Sequence, residues 1–259
     1  MLSATAYGTD QGGRPLVIAH GLFGAGRNWG GIARRLARDR SVICVDMRNH
    51  GDSPWHDSHG YEEMAADLAQ VIDAHGGQAD LLGHSMGGKA AMAAALLYPG
   101  RVARLIVADM APVAYGHAAS QRANITAMRA LDLTGLTSRA EADRRLAAHL
   151  DDPMLRGFFL HSLDLRADPP RWRLNLDVLD RDMDRIVGWP DSAARFDGPA
   201  LFVAGATSAY VLPEHRGAIL AAFPAARVVR IPGAGHWLHA DRPEAFAETV
   251  AVWLARTDG

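Results

Sequence analysis

The stretch LLGHSMGGKAAM, Leu81 to Met92, offers two chemistries from the same glycines. As Gly83-x-Ser85-x-Gly87 it is the sharp strand-to-helix turn that presents a serine as nucleophile. As Gly83-x-x-x-x-Gly88-Lys89 it is nearly a phosphate-binding loop, and Lys89 is the only lysine in the chain. The phosphate reading needs Ser or Thr after the lysine to bind Mg²⁺, and Ala90 supplies no oxygen. The nucleophile reading suits its surroundings: Leu81 and Leu82 read as a strand, and GGKAAMAAALL reads as a helix. Glycine at 83 and 87 is what so tight a turn demands, because side chains there would collide. Lys89 then reads as an exposed helix residue or half of an ion pair.

A serine hydroxyl at neutral pH needs a base, the base an orienting acid, and the developing oxyanion needs donors. Among twelve histidines, His236 stands in IPGAGHWLHAD, directly after the last strand-like run. That is late in the order Ser, acid, His. His239 is the rival base, and otherwise a residue that caps or stacks near a helix start. His84 flanks Ser85, but strand alternation turns it away; His215 falls on a predicted helix, exposed.

The acid commonly follows the strand before the histidine's own, here ALFVAGATSAYV. That segment holds no Asp or Glu, and the usual place holds Ser208. Asp109, which ends RLIVAD beside the turn, is assigned as the acid that fixes the His236 tautomer. The alternative is a structural aspartate at the junction with the next segment. Ser208 is a candidate to orient Asp109 or His236. Oxyanion donors are expected from the backbone N–H of Met86 and of Leu22 in HGLFG. Phe23, Met110, Phe159 and Trp237 are expected around the substrate.

Other chemistries fit less well. GLFGAGRNW lacks a dinucleotide fingerprint, since Trp29 stands where the third glycine belongs. His236 and His239 have ligand-like spacing but no carboxylate–histidine cluster beside them, so neither metal nor cofactor is expected. His50 and Asp52, in RNHGDSP, read as scaffolding of a turn-rich loop.

These residues need a frame that collects them at one edge. Short apolar runs recur at 15–20, 41–46, 79–84, 104–109, 200–205 and 226–231, as strands covered on both faces do. A weaker strand is expected at 3–7. Helical periods lie between them at 28–38, 61–75, 86–97, 214–223 and 243–256, the last with Asp241 as cap and Pro243 in its first turn. The alternation predicts an α/β fold with a mostly parallel sheet and helices on both faces. From 112 to 197 the rhythm breaks into amphipathic helices (120–131, 138–150, 153–163) without a good strand. The expected organisation is a core of 1–111 and 198–259 with an inserted helical cap, or lid, at 112–197. Phe158, Phe159, Trp172 and Trp189 either fix that cap to the core or line a pocket.

The 259 residues are 49% hydrophobic and 22% charged, with net charge −2. That balance gives no electrostatic case for nucleic acid or an anionic membrane. The opening MLSATAYGTDQGG has no basic region followed by an apolar run, so no secretory leader is expected. No apolar stretch is long enough to span a bilayer. Cys44, the sole cysteine, reads as a small core residue and excludes an internal disulfide, which fits a cytoplasmic protein. The oligomeric state is left open.

HGLFGAGRNW, VDMRNHGDSP, LLGHSMGGKAAM, VADMAPVAY, RLNL, IVGW, ALFVAGATSAYV and GAGHWLHADRP follow one another along nearly the whole chain. In that order they resemble the small serine esterases of the α/β-hydrolase superfamily, the YbfF-type bacterial enzymes and their abhydrolase-domain relatives. The resemblance implies hydrolysis of carboxylic esters, extending to acyl thioesters, as small-molecule substrates. It implies a charge relay of Ser85, Asp109 and His236, with Ser208 joining from the place of the missing acid. It also makes Lys89 part of the GHSMGGK signature. The fit is poorest from 118 to 171, where substrate choice is expected to be decided. Carbon–carbon bond hydrolysis, a lyase step and a non-enzymatic ligand receptor are the competing readings.

Overall fold

The apolar runs at 16–19, 42–45, 79–84 and 200–205 are buried throughout, as strands covered on both faces are. The run at 226–231 is a sheet edge and, contrary to expectation, exposed or half-buried in all but Ile231. A computed structural model describes residues 1–8 and 13–257; residues 9–12 of the opening stretch lie outside them. In chain order the first half gives β1 (Ala4–Tyr7), β2 (Leu16–Ala19), α1 (Gly30–Leu36), β3 (Val42–Val45), α2 (Tyr61–Ala74), β4 (Ala79–His84), α3 (Met86–Leu97) and β5 (Val102–Ala108). The segment that follows gives α4 (Ala118–Ala130), α5 (Arg139–Leu146), α6 (Pro153–Leu160), β6 (Leu163–Asp164), β7 (Arg171–Trp172), α7 (Leu176–Arg181) and α8 (Met183–Val187). The chain then returns through β8 (Ala200–Gly205), α9 (Arg216–Ala222), β9 (Ala226–Ile231), α10 (Leu238–Asp241) and α11 (Pro243–Arg256).

The main sheet runs β1-β3-β2-β4-β5-β8-β9. Its pairs are parallel except the edge pair β1–β3. Alternate residues of each strand face opposite layers. Leu82, Ile106 and Val203 pack with Trp29, Ile32, Phe246 and Val250 on one side. Leu81, Leu105 and Val107 pack with Met64, Leu68 and Met92 on the other. Gly83 is in register with Ala19 of β2 and Val107 of β5, so the carboxyl ends of three central strands converge on the turn that follows β4.

Between β5 and β8 the helices form with ordinary caps. Ser138 accepts the Glu141 N–H ahead of α5, and Asp152 caps α6 with Pro153 in its first turn. The expectation of no strand there is corrected by the antiparallel pair β6–β7, Leu163 facing Trp172. Two-residue strands are too short to leave an alternation in the sequence. Asp241 is not the cap of α11, whose N-cap position is Arg242. Its carboxylate accepts the Gly235 N–H at 2.8 Å and braces the loop before α10. Trp172 donates to the Met128 carbonyl at 3.0 Å and is buried, and Trp189 sits 6.1 Å from the Tyr61 ring. Trp189 thus packs the segment against α2, whereas Trp172 ties two parts of the segment to each other. Among the described residues, no helix is long and apolar enough to cross a membrane.

Candidate active site

Ser85 is the residue between β4 and α3, and its backbone is left-handed, with φ 53° and ψ −121°. The tightness of this turn can be measured at its glycines. A Cβ on Gly83 would lie 2.1 Å from the Gly87 carbonyl oxygen, and one on Gly87 would lie 2.4 Å from the carbonyl oxygens of Ala19 and His20. Neither position admits a side chain. Strain of this kind holds the hydroxyl out at the sheet edge instead of folding it into the helix.

His236, in the loop between β9 and α10, reaches that hydroxyl: its Nε2 lies 3.1 Å from Ser85 Oγ. Its Nδ1 lies 2.7 Å from Asp109 Oδ2. With the Nδ1 hydrogen on the carboxylate, Nε2 presents its lone pair to the serine. Asp109 follows β5, is fully buried, and is also left-handed at φ 50°. Its N–H donates to the Val203 carbonyl at 2.8 Å, and its Oδ1 accepts the Gly205 N–H at 2.9 Å. Ser208, just past β8, donates its hydroxyl to Asp109 Oδ2.

Two further residues support His236, one at its ring and one at its backbone. The Tyr210 ring stacks on it, with centroids 3.8 Å apart and planes 17° apart. His84 Nε2–H donates to the His236 carbonyl at 2.8 Å, so His84 turns away from Ser85 and supports the loop instead. His239 stacks on Trp29 at 4.2 Å, and burial lowers its pKa to about 3, leaving it neutral. It makes no hydrogen bond to Ser85 or Asp109. Tyr210 carries no motif in the sequence; its only signal is its place two residues beyond Ser208. His215 is half-buried, within hydrogen-bond distance of the Tyr210 carbonyl, rather than exposed.

Met86 and Leu22 have no acceptor for their backbone N–H groups among the described residues, and both line a cavity above Ser85. Phe23, Met110, Phe159 and Trp237 line the same cavity, which encloses about 1110 Å³. Phe23, Phe159, Phe158 and Trp237 form an unbroken aromatic wall, with successive centroids 5.3, 5.7 and 5.3 Å apart. Other lining residues are polar. His117, Gln121 and Asn124 follow one face of α4 at helical spacing and also line the cavity.

Lys89 departs from expectation. It is neither exposed nor paired with a carboxylate; its side chain is 1% exposed. Nζ donates to the carbonyls of Val187 and Gly188 at 2.7 and 2.5 Å, where α8 ends, and lies 4.8 Å from the Tyr115 ring centroid. The cause is α3 itself, buried from Met86 to Leu96, which offers its lysine no solvent-facing side. Burial lowers the amine's pKa to about 7. Among the described residues no group of three His, Cys, Asp or Glu is arranged to hold a metal ion.

A family profile described as alpha/beta hydrolase fold matches residues 14–243. The chain belongs to the α/β-hydrolase fold family. This α/β hydrolase is 40% identical to the esterase YbfF of Escherichia coli, over 93% of this chain and 92% of that one. It is 38% identical to mouse sn-1-specific diacylglycerol lipase ABHD11, over 93% of this chain and 80% of that one. A solved structure titled marine microorganism esterase superposes with a TM-score of 0.91 at 36% identity, covering 96% of this chain and 97% of that one. The α/β hydrolase is an enzyme of the carboxylesterase type.

Proposed function

We propose that the enzyme cleaves carboxylic esters through an acyl-Ser85 intermediate. The observation that carries this reading is the continuous row of hydrogen bonds, Ser85 to His236 at 3.1 Å and His236 to Asp109 at 2.7 Å. His236 Nε2 takes the Ser85 proton as Oγ adds to the ester carbonyl. The oxyanion collects the N–H groups of Leu22 and Met86, each worth about 3 kcal/mol in the transition state. Asp109 keeps the imidazole in its reactive tautomer and offsets the charge of the imidazolium, and Ser208 fixes Asp109. Collapse of the adduct breaks the bond to the alcohol, which leaves with the proton from His236. Water then repeats the sequence on the acyl-enzyme, releasing the acid and restoring Ser85.

Residues 112–197 act in this reading as a cap over a core of 1–111 and 198–259, supplying Phe159 to the pocket. The aromatic wall suits an acyl chain, and the uncharged polar wall of His117, Gln121 and Asn124 suits a hydroxyl-bearing alcohol. The mouse relative is named for an acylglycerol of that kind. An acyl thioester presents the same carbonyl and is a second substrate of the same serine. The lone buried thiol of Cys44 fits a reducing, cytoplasmic setting.

Intact-mass measurement after treatment with a fluorophosphonate tests the mechanism. One adduct is expected, on Ser85, and none on Ser85→Ala; an unmodified wild-type chain would contradict it. A panel of p-nitrophenyl, glycerol and thiol esters should show all three hydrolysed by wild type and none by Ser85→Ala.

A further inference from the structure

Three histidines that the proposed mechanism does not use stand in a row beside the loop bearing Leu22 and the residue Met86. They are His20, which follows β2, and His50 and His59, which lie between β3 and α2. All three are buried, with ring centroids 5.2 Å apart for His20 and His50 and 5.5 Å apart for His50 and His59.

Their neighbours dictate which nitrogen of each ring carries hydrogen. His50 Nδ1 lies 2.9 Å from the Arg48 carbonyl and must donate to it, so Nε2 is bare and accepts the Phe23 N–H at 3.1 Å. His20 Nδ1 donates to the Gly21 carbonyl at 2.8 Å, and its bare Nε2 accepts the Met47 N–H at 2.9 Å. His59 is the reverse: Nδ1 accepts from Asn49 Nδ2 at 3.2 Å, leaving Nε2–H against the Met86 sulfur at 3.2 Å. Burial keeps the rings neutral, pushing the pKa of His20 to about 4, that of His50 to about 3, and that of His59 well below 6.5. Phe23 explains why such a brace is needed. It is a bulky residue in the left-handed region, at φ 64°, a conformation that costs about 1–2 kcal/mol for an L-residue. Two successive amides of this loop are taken, Phe23 N–H by His50 and Gly24 N–H by the Gly21 carbonyl. The Leu22 N–H, between Gly21 and these two, has no acceptor among the described residues.

We propose that His20, His50 and His59 are positioning residues of the oxyanion hole, with the bare Nε2 of His50 as the principal brace. His50 holds Phe23 left-handed and so aims the Leu22 amide; His20 ties Gly21 to the strand-end at Met47; His59 seats Met86. This rests on the Ser85 reading, because the hole has a role only if an oxyanion forms there.

The test compares His50→Phe, which keeps a ring and removes the acceptor, with His50→Gln, which restores an acceptor. A trifluoromethyl ketone serves as probe, because its adduct with Ser85 places an oxyanion in the hole. His50→Phe should lower kcat about tenfold to a hundredfold, below the 10²–10³ of losing a donor outright, with KM changed less than about twofold. It should weaken the ketone by the same factor, and His50→Gln should recover most of both. A loss of kcat without loss of ketone affinity, a change in KM alone, or Gln performing no better than Phe would overturn the proposal. Failure of the ketone to inhibit wild type would instead overturn the Ser85 reading and the hole with it. Should His50→Phe not fold, ¹⁵N spectra of the wild-type imidazoles at neutral pH decide the matter. A bare Nε2 on His20 and His50 and a bare Nδ1 on His59 are expected; a protonated Nε2 on His50 refutes the brace.

Discussion

Two fully buried aspartates sit at opposite edges of the same sheet and are treated in opposite ways. Asp80, near the amino end of β4, is gripped by Arg104 at 2.7 and 2.5 Å, with Arg40 at 3.2 Å. Asp109, just past the carboxyl end of β5, has no Arg or Lys within 4 Å among the described residues. Its partners are Gly205 N–H, the Ser208 hydroxyl and the His236 ring. One carboxylate is neutralised by fixed cations and helps hold the sheet together. The other is held by uncharged donors, so in the proposed mechanism its charge is available to the imidazolium that forms during the reaction. Burial alone does not mark a functional acid; the kind of partner does.

If that contrast holds, changes at the two edges separate activity from stability. At the carboxyl edge, Ser85→Ala should reduce kcat by up to about 10⁶ while the urea midpoint stays near that of wild type. A residual rate within a hundredfold of wild type would move the nucleophile elsewhere. At the amino edge, Asp80→Asn removes the negative charge from the buried guanidinium of Arg104 and should cost about 3–5 kcal/mol of stability. The kcat of its folded fraction should change less than about twofold; a large loss of kcat would break the division of labour.

Lys89 sharpens the comparison as a buried cation with no carboxylate beside it. Its folded pKa, about 7, lies below the ordinary 10.5, so between those values the unfolded chain binds a proton that the folded chain has released. Stability due to this group therefore rises with pH from about 7 toward 10.5, by at most about 1.4 kcal/mol per pH unit, and is flat below. Urea unfolding of Lys89→Met against wild type from pH 7 to 9.5 should show the slope in wild type and its loss in the variant; parallel curves would place the ammonium in a wetter setting. The smallest effect expected is that of Ser208→Ala, which removes one of the bonds fixing Asp109 and should lower kcat about tenfold, without changing KM. An unchanged kcat would make the hydroxyl ornamental to the acid.

The sequence carried most of the frame because its signals are local. Five-residue apolar runs, a Pro in a first turn and the glycine spacing around Ser85 each report on a few neighbouring residues, and those elements appear with bounds shifted by a residue or two. Asp109 is the candidate acid by elimination, since the usual place for the acid holds Ser208, and its carboxylate lies 2.7 Å from His236 Nδ1. What escaped was set by distant parts of the chain. The exposed or ion-paired reading of Lys89 failed because a helix that is apolar all round has no outer face, a cue present in KAAMAAAL but overridden by the charge. His50 is scaffolding as expected, but nothing local says that the backbone it holds is the Phe23 amide 27 residues away. Tyr210 meets the His236 ring 26 residues further along the chain, and the β6–β7 pair, though local, is too short to leave an alternation.

The central claim is that the uncompensated charge of Asp109 serves the imidazole of His236. Asp109→Asn tests it most directly, with kcat/KM on a p-nitrophenyl ester and the urea midpoint measured on the same sample. The account predicts a fall in kcat/KM approaching about 10⁴ in a chain that remains folded. A folded variant that loses less than about tenfold would contradict it.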